Sequence, residues 1–172
     1  MNHLCLVFFT FTLSSAENIA YRNYQEGDTF GRFPLEANCQ DRPGIPCYVA
    51  VDLNMGANTV VGFIEMTIPD RLSKGSEAAV RSRMSDPKKK GRFGFINHVV
   101  VSKDYRRNKI GTKLVEYSIE CGKKTSDILA LALFVKKREE GAIAFYETFH
   151  FINVMEQGDE YLFALYYSRD TD

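Results

Sequence analysis

Ile96-Asn97-His98-Val99-Val100-Val101-Ser102-Lys103-Asp104-Tyr105-Arg106-Arg107-Asn108-Lys109-Ile110-Gly111-Thr112-Lys113-Leu114-Val115 is the stretch around which the chain is organised. Its apolar, β-branched run Val99, Val100, Val101 reads as a buried strand. A short polar turn follows. The spacing Ile110, Leu114, Val115, Ile119 then marks one face of a helix. Such a basic, glycine-containing turn is a layout for holding phosphate, because backbone N–H groups at a helix N-terminus point outward and the helix dipole favours negative charge there. Gly111 lets a ligand approach the backbone because it has no Cβ, and Arg106, Arg107 and Lys109 add positive charge. An ordinary strand–turn–helix with a solvated basic loop has the same pattern, so the stretch alone leaves both readings open.

Length and composition narrow the rest. A chain of 172 residues suffices for one domain with a full core. The 22 Lys and Arg balance the 22 Asp and Glu, which argues against wholesale nucleic-acid binding. Cys5, Cys39, Cys47 and Cys121 contain no Cys-x-x-Cys spacing and only three histidines accompany them, so no metal site is expected. Reduced cysteines are the default expectation, with Cys39 pairing to Cys47 if the chain is secreted.

At the N-terminus, residues 4–13 are apolar but too few to span a bilayer as a helix, so no stable membrane span is expected. Ser14, Ser15 and Ala16 resemble a signal-peptidase site, though no Lys or Arg precedes the apolar run. A first buried strand followed by a Ser14/Glu17 capping box competes with that reading, and both stand. Residues 19–24 read as an alternating strand and 25–28 as a turn, with Asp28 a candidate helix N-cap. Residues 29–42 are poorly periodic, and Gly31 and Pro34 predict a short or broken helix before the break at 43–46.

Residues 47–53 and 60–68 predict a β-hairpin through the Asn- and Gly-containing segment 54–58, with Pro69 ending its second strand. The polar, basic stretch 71–92 predicts a solvated loop. Residues 128–135 predict a fully buried strand and 136–140 a charged loop. Ala142, Phe145, Tyr146 and Phe149 predict one face of a helix. Residues 152–154 and 161–167 predict two strands joined around Gly158 and Asp159. The order implies an α/β fold whose mixed sheet carries helices on both faces.

The run from Arg106 to Gly111 resembles the phosphate-binding signature of the GNAT superfamily of acetyl-CoA-dependent N-acetyltransferases, Gln/Arg-x-x-Gly-x-Gly/Ala after the fourth strand. Lys109 stands where a glycine is usual. A second likeness lies in Ala142-Ile143-Ala144-Phe145-Tyr146-Glu147-Thr148-Phe149-His150-Phe151, similar to Asn-x-x-Ala-Ile-x-Phe-Tyr, three variable residues, then Gly-Phe. Glu139 takes the Asn position and His150 the Gly position. A third likeness is the opening strand from Tyr21 to Asp28. The two main motifs lie in the family's order and separation, and together they imply the acyl-CoA N-acyltransferase fold. Residues 17–172 then form one N-acetyltransferase domain behind a signal peptide or extension at 1–16.

The resemblance further implies acetyl-CoA as co-substrate and an amine acceptor, either a small molecule or a peptide. It places the cofactor on the backbone of Val99, Val100 and Val101, on Arg106, Arg107, Asn108, Lys109, Ile110, Gly111 and Thr112, and against Phe145. Tyr146 matches the tyrosine that protonates the departing thiolate in many relatives. The base commonly sits on the fourth strand at the positions of Phe95 and Asn97, neither of which takes a proton at neutral pH. Asn97 is therefore a candidate for holding a relaying water. His98 is a candidate whose side chain ideal alternation turns to the opposite face. Glu65 and His150 are further candidates, and the base is unassigned.

An acetyltransferase acting on a protein N-terminus, a lysine or a small amine is thus the leading reading. A non-catalytic CoA-binding or regulatory module is the alternative, motivated by the substituted Asn and Gly positions. A polyanion-binding protein using residues 71–92 is a third. The expected state is a monomer or homodimer in the cytoplasm, or in the secretory pathway if residues 1–16 are a signal peptide.

Overall fold

The computed structural model describes residues 18–31, 39 and 47–167. The alternatives for residues 1–16, and the expected short helix in 29–42 beyond Gly31, fall outside these residues apart from Cys39. Among the described residues seven strands are present: β1 (Ile19–Asn23), β2 (Cys47–Asp52), β3 (Val60–Asp70), β4 (Arg92–Val101), β5 (Ile128–Lys136), β6 (Ile152–Gln157) and β7 (Glu160–Tyr166). The helices with bounds among the described residues are α1 (Lys74–Ser82), α2 (Ile110–Lys124) and α3 (Glu140–Glu147), with a 3-10 turn at Lys103–Tyr105. The strands hydrogen-bond in the order β1-β2-β3-β4-β5-β7-β6. β4 and β5 are parallel, whereas β1–β2, β2–β3, β5–β7 and β6–β7 are antiparallel, so the sheet is mixed. A parallel pair requires a crossover, and α2 lies in that connection.

The chain divides into two compact units, one running to Thr67 and over Ile96–Cys121, the other over Ile68–Phe95 and from Gly122 onward. In the first, β2 is buried along its whole length. A core of Phe30, Cys39, Cys47, Val49, Val51, Val60 and Phe63 packs with Tyr24 and Val100. Tyr48 stacks on Tyr117 of α2 with ring centroids 3.6 Å apart. Burial lifts the Tyr48 phenol to about 12, with Cys121 adding to the rise. The β2–β3 hairpin forms as its pattern predicts, and Gly56 supplies the positive φ of 123° in its connection.

The second unit packs Val80, Phe93, Leu129, Ala130, Ala132, Leu162 and Ala164 together. β5 is the near-continuous buried strand its Leu/Ala/Val run predicts. β6 and β7 pair around Gly158, whose φ is 59°.

Several expectations are corrected. Residues 71–92 are not all loop, because Lys74–Ser82 is helical. The Ser73 hydroxyl accepts from the Ser76 amide at 3.1 Å, Glu77 pairs with Arg81 at 2.7 Å, and the Arg81 guanidinium lies 5.0 Å from the Phe93 ring centroid. A capped, ion-paired helix can therefore form where the sequence reads as solvated. Pro69 does not end β3, which continues to Asp70. The ladder to β2 closes at Glu65, so the missing N–H of Pro69 falls beyond that partner. Asp28 caps no helix among the described residues. It is buried, accepts two bonds from the Arg22 guanidinium at 2.7 and 2.6 Å, and accepts the Gln25 amide at 2.9 Å. Cys39 and Cys47 form a disulfide rather than staying reduced, their Cα atoms 5.5 Å apart within one core cluster, while Cys121 is free and buried. Val99, Val100 and Val101 are half-buried rather than buried. The parallel ladder runs only from Arg92 opposite Ile128 to Phe95 opposite Ala132, so these valines lie beyond it.

Candidate active site

The first unit supplies the basic turn. Ser102 donates its amide to the Val61 carbonyl at 2.8 Å, fixing the end of β4 to β3. The 3-10 turn follows, closed by Tyr105 N–H to the Ser102 carbonyl at 2.9 Å. Arg106 is extended, and its Nε reaches back to the Val101 carbonyl at 3.4 Å. Arg107 and Lys109 then adopt left-handed backbone, with φ of 68° and 60°. Lys109 thus takes the conformation that the glycine of the family pattern takes without strain, so the tight turn survives its loss at a cost of about 1 kcal/mol.

The first intrahelical amide of α2 is that of Lys113, bonded to the Lys109 carbonyl at 3.0 Å. The amides of Ile110, Gly111 and Thr112 precede it and have no acceptor in the preceding turn. Below them Ile110 and Leu114 are buried, at 1% and 0% exposure. A Cβ on Gly62 of β3 would meet Ile110 Cγ2 at 2.9 Å and the Val100 carbonyl at 3.1 Å, so that glycine lets the first turn of α2 settle closely on the strand. The side chains of Arg106, Arg107, Asn108 and Lys109 are exposed above this seat. Outward amides, cations and left-handed backbone on a rigid base fit a diphosphate.

β3 and β4 carry the remaining first-unit candidates. Asn97 donates from Nδ2 to Thr67 Oγ1 at 3.1 Å, which leaves its carbonyl oxygen as an acceptor. His98 is exposed, as strand alternation requires. Glu65, which ranks low in the sequence reading, is a fully buried carboxylate opposite Cys47 in the β2–β3 ladder. Burial of an acid is not legible from a single glutamate in an apolar run.

Tyr146 belongs to the second unit, near the end of α3. The amides of Phe149 and Phe151 both donate to its carbonyl, at 3.0 and 3.3 Å, and His150 N–H donates to the Glu147 carbonyl at 2.9 Å. His150 is left-handed, with φ of 66°. Together these are the bonds of a Schellman closure with His150 at the position that favours glycine. The contact that accompanies such closures is present: Tyr146 meets Phe151 edge-on, with centroids 5.8 Å apart, and Phe151 is 1% exposed. Phe145 also packs edge-on against Tyr146, at 5.3 Å. Burial, assisted by the nearby Glu139 charge, pushes the Tyr146 phenol up to about 12. Glu139 occupies the N-cap of α3, but its side chain makes no capping bond.

Residues 13–151 match the family model described as "Acetyltransferase (GNAT) family". The chain belongs to that family. The GNAT family uses acetyl-CoA as co-substrate, and the turn of Arg106, Arg107, Asn108, Lys109, Ile110 and Gly111 fits its diphosphate on the geometry above. Among solved structures, NAA60 of Arabidopsis thaliana in complex with acetyl-CoA is similar at a TM-score of 0.69 and 20% identity, over 87% of this chain and 98% of that one. The same protein in complex with a bisubstrate analogue gives a TM-score of 0.69 and 18% identity, over 88% and 100%. The NatC complex bound to Gag peptide and CoA gives 0.55 and 22%, over 71% of each chain. No curated protein sequence matches the chain. The mixed sheet is thus a GNAT fold. No described helix is long and apolar enough to cross a membrane, and no described cluster of His, Cys, Asp or Glu could hold a metal ion.

Proposed function

We propose that this GNAT member transfers the acetyl group of acetyl-CoA directly to a primary amine within a ternary complex. The observation that carries the reading is the turn before α2, where the helix amides ahead of the first intrahelical bond lie beside three exposed cationic side chains. In the reaction the amine nitrogen bonds to the acetyl carbonyl carbon, the carbon–sulfur bond breaks, the amine loses a proton and the thiolate gains one. Holding the two reactants together supplies much of the acceleration. In this reading the backbone of β4 at Val99 and Val101, which lies beyond the ladder to β5, receives the pantetheine, and a backbone N–H there donates to the developing oxyanion.

Asn97 in this reading orients a water through the oxygen that Thr67 leaves unused, and that water takes the amine proton. Tyr146 is, in this reading, the group that donates to the departing sulfur. A phenol raised to about 12 is fully protonated at neutral pH. Transfer of its proton to a thiolate of ordinary thiol pKa, about 8.5, would run uphill by about 5 kcal/mol. Its contribution is therefore a donated hydrogen bond that strengthens as charge builds on sulfur, with solvent completing the protonation.

Peptide N-termini head the acceptors to be tried, because NatC is seen with a peptide and NAA60 with a bisubstrate analogue. The Cys39–Cys47 disulfide supports the secretory alternative for its compartment, since cytosolic thiols are kept reduced. The test is acetyl-CoA consumption over a library of peptides, lysine derivatives and small amines, with products identified by mass. A single acetylated amine class is the expected result. Tight CoA binding with no acetylated product across the library would favour the non-catalytic module instead.

A further inference from the structure

We infer that Tyr105 and Asp52 act as a positioning pair that holds the phosphate-binding turn ready for its ligand, an inference that rests on the acetyl-CoA reading of that turn. The Tyr105 hydroxyl donates to Asp52 Oδ2 at 2.6 Å. That is the short separation typical of a hydroxyl on a carboxylate, a stronger bond than one between neutral groups. Asp52 ends β2 and is 7% exposed. Its other oxygen accepts the Asn54 amide at 2.9 Å, and its own amide donates to the Thr59 carbonyl at 3.0 Å. The carboxylate is thus built into the base of the β2–β3 hairpin and cannot follow a moving partner. Tyr105 lies at the end of the 3-10 turn, directly before Arg106.

The turn needs such an anchor. Two non-glycine residues within three positions, Arg107 and Lys109, hold left-handed backbone. Conformations of this kind persist where the surroundings over-determine them. At the far end, α2 is seated by Ile110 and Leu114 against Gly62. At the near end, backbone bonds fix Ser102, and the Tyr105 side chain ties the chain to a separate strand one residue before the first arginine. Without that tie the segment from Arg106 to Lys109 gains freedom that a ligand must remove on binding, which lowers affinity without altering the reacting groups.

The experiment measures coenzyme A affinity by calorimetry, together with kcat and KM for acetyl-CoA, in wild type, Tyr105→Phe, Asp52→Asn and the double variant. Thermal melting checks that each is folded. Tyr105→Phe is expected to raise Kd and KM by about tenfold, the scale of one hydrogen bond to a charged group, with kcat unchanged. Asp52→Asn keeps one side-chain oxygen and should fall between Tyr105→Phe and wild type. The double variant should lose no more than the weaker-binding single variant, because the two act as one unit. Unchanged CoA affinity in folded Tyr105→Phe, additive losses in the double variant, or a fall in kcat at constant KM would each overturn the inference. If Tyr105→Phe does not fold, Asp52→Asn decides on the same criteria. A wild-type protein that binds no coenzyme A would instead overturn the reading of the turn itself.

Discussion

The start of α2 and the end of α3 solve the same backbone problem in opposite ways. Each carries a non-glycine residue in left-handed conformation where the family pattern has glycine: Lys109 before α2 and His150 after α3. At the α3 end every donor is spent. Phe149, His150 and Phe151 all donate inward, and an aromatic contact to Tyr146 seals the closure. At the α2 start the same conformation opens outward, leaving the amides of Ile110, Gly111 and Thr112 ahead of the first intrahelical bond with exposed cations beside them. A saturated helix end positions a side chain, here a phenol. An unsaturated one makes a site for an anion.

The contrast is most easily broken at Gly111. Gly111→Val places a branched side chain where the diphosphate would approach, and coenzyme A binding should be lost by calorimetry while the far-UV spectrum and the cooperative melt are retained. At the closed end the corresponding change removes function but not binding. Tyr146→Phe keeps the ring packing against Phe145 and Phe151, so acetyl-CoA affinity should stay near wild type while turnover falls by about a hundredfold, the scale of losing one donor to a developing charge. Wild-type turnover, measured where chemistry limits the rate, would make Tyr146 a packing residue.

The pH profile sharpens the same point. Burial raises the Tyr146 pKa to about 12, so the phenol is the donor at every pH below that value. No decline in kcat from this group should appear up to about pH 10. A drop near pH 8 that disappears in Tyr146→Phe would show a phenol in a different environment. The smallest effect is on stability. His150→Gly relieves left-handed strain but loosens the unfolded chain, for a net gain of about 0.5–1 kcal/mol in urea unfolding. Lys109→Gly should gain a similar amount and yet bind coenzyme A more weakly, because it also removes a cation. Equal CoA affinity in Lys109→Gly would assign the binding to backbone alone.

Much of this was legible in the chain because it is carried by local pattern. The alternation and turn residues of the two hairpins, the Leu/Ala/Val run of β5 and the face of α2 are each read from neighbours in sequence. What escaped depends on specific side-chain partners, which a hydrophobic pattern does not report even when they lie only 3 to 8 residues apart. α1 hides in a polar segment because its cap, its ion pair and the stack of Arg81 on Phe93 are side-chain events that no hydrophobic period reports. The Cys39–Cys47 bond is the pairing named for a secreted chain; the sequence offers it beside reduced cysteines, and the choice between the two is made by the folded core. Asp28 looks like a cap until Arg22 claims it. The motif substitutions at Lys109 and His150 read as departures, and only their φ values show that the backbone tolerates them.

The central claim, that the open turn before α2 is where the co-substrate's diphosphate is held, is tested most directly by amide chemical-shift mapping of the wild-type protein during a coenzyme A titration. Saturable shifts are expected to be largest at Arg107, Lys109, Ile110, Gly111 and Thr112, with the spent amides of His150 and Phe151 moving far less. Saturable binding that leaves the Ile110, Gly111 and Thr112 amides unmoved would contradict it.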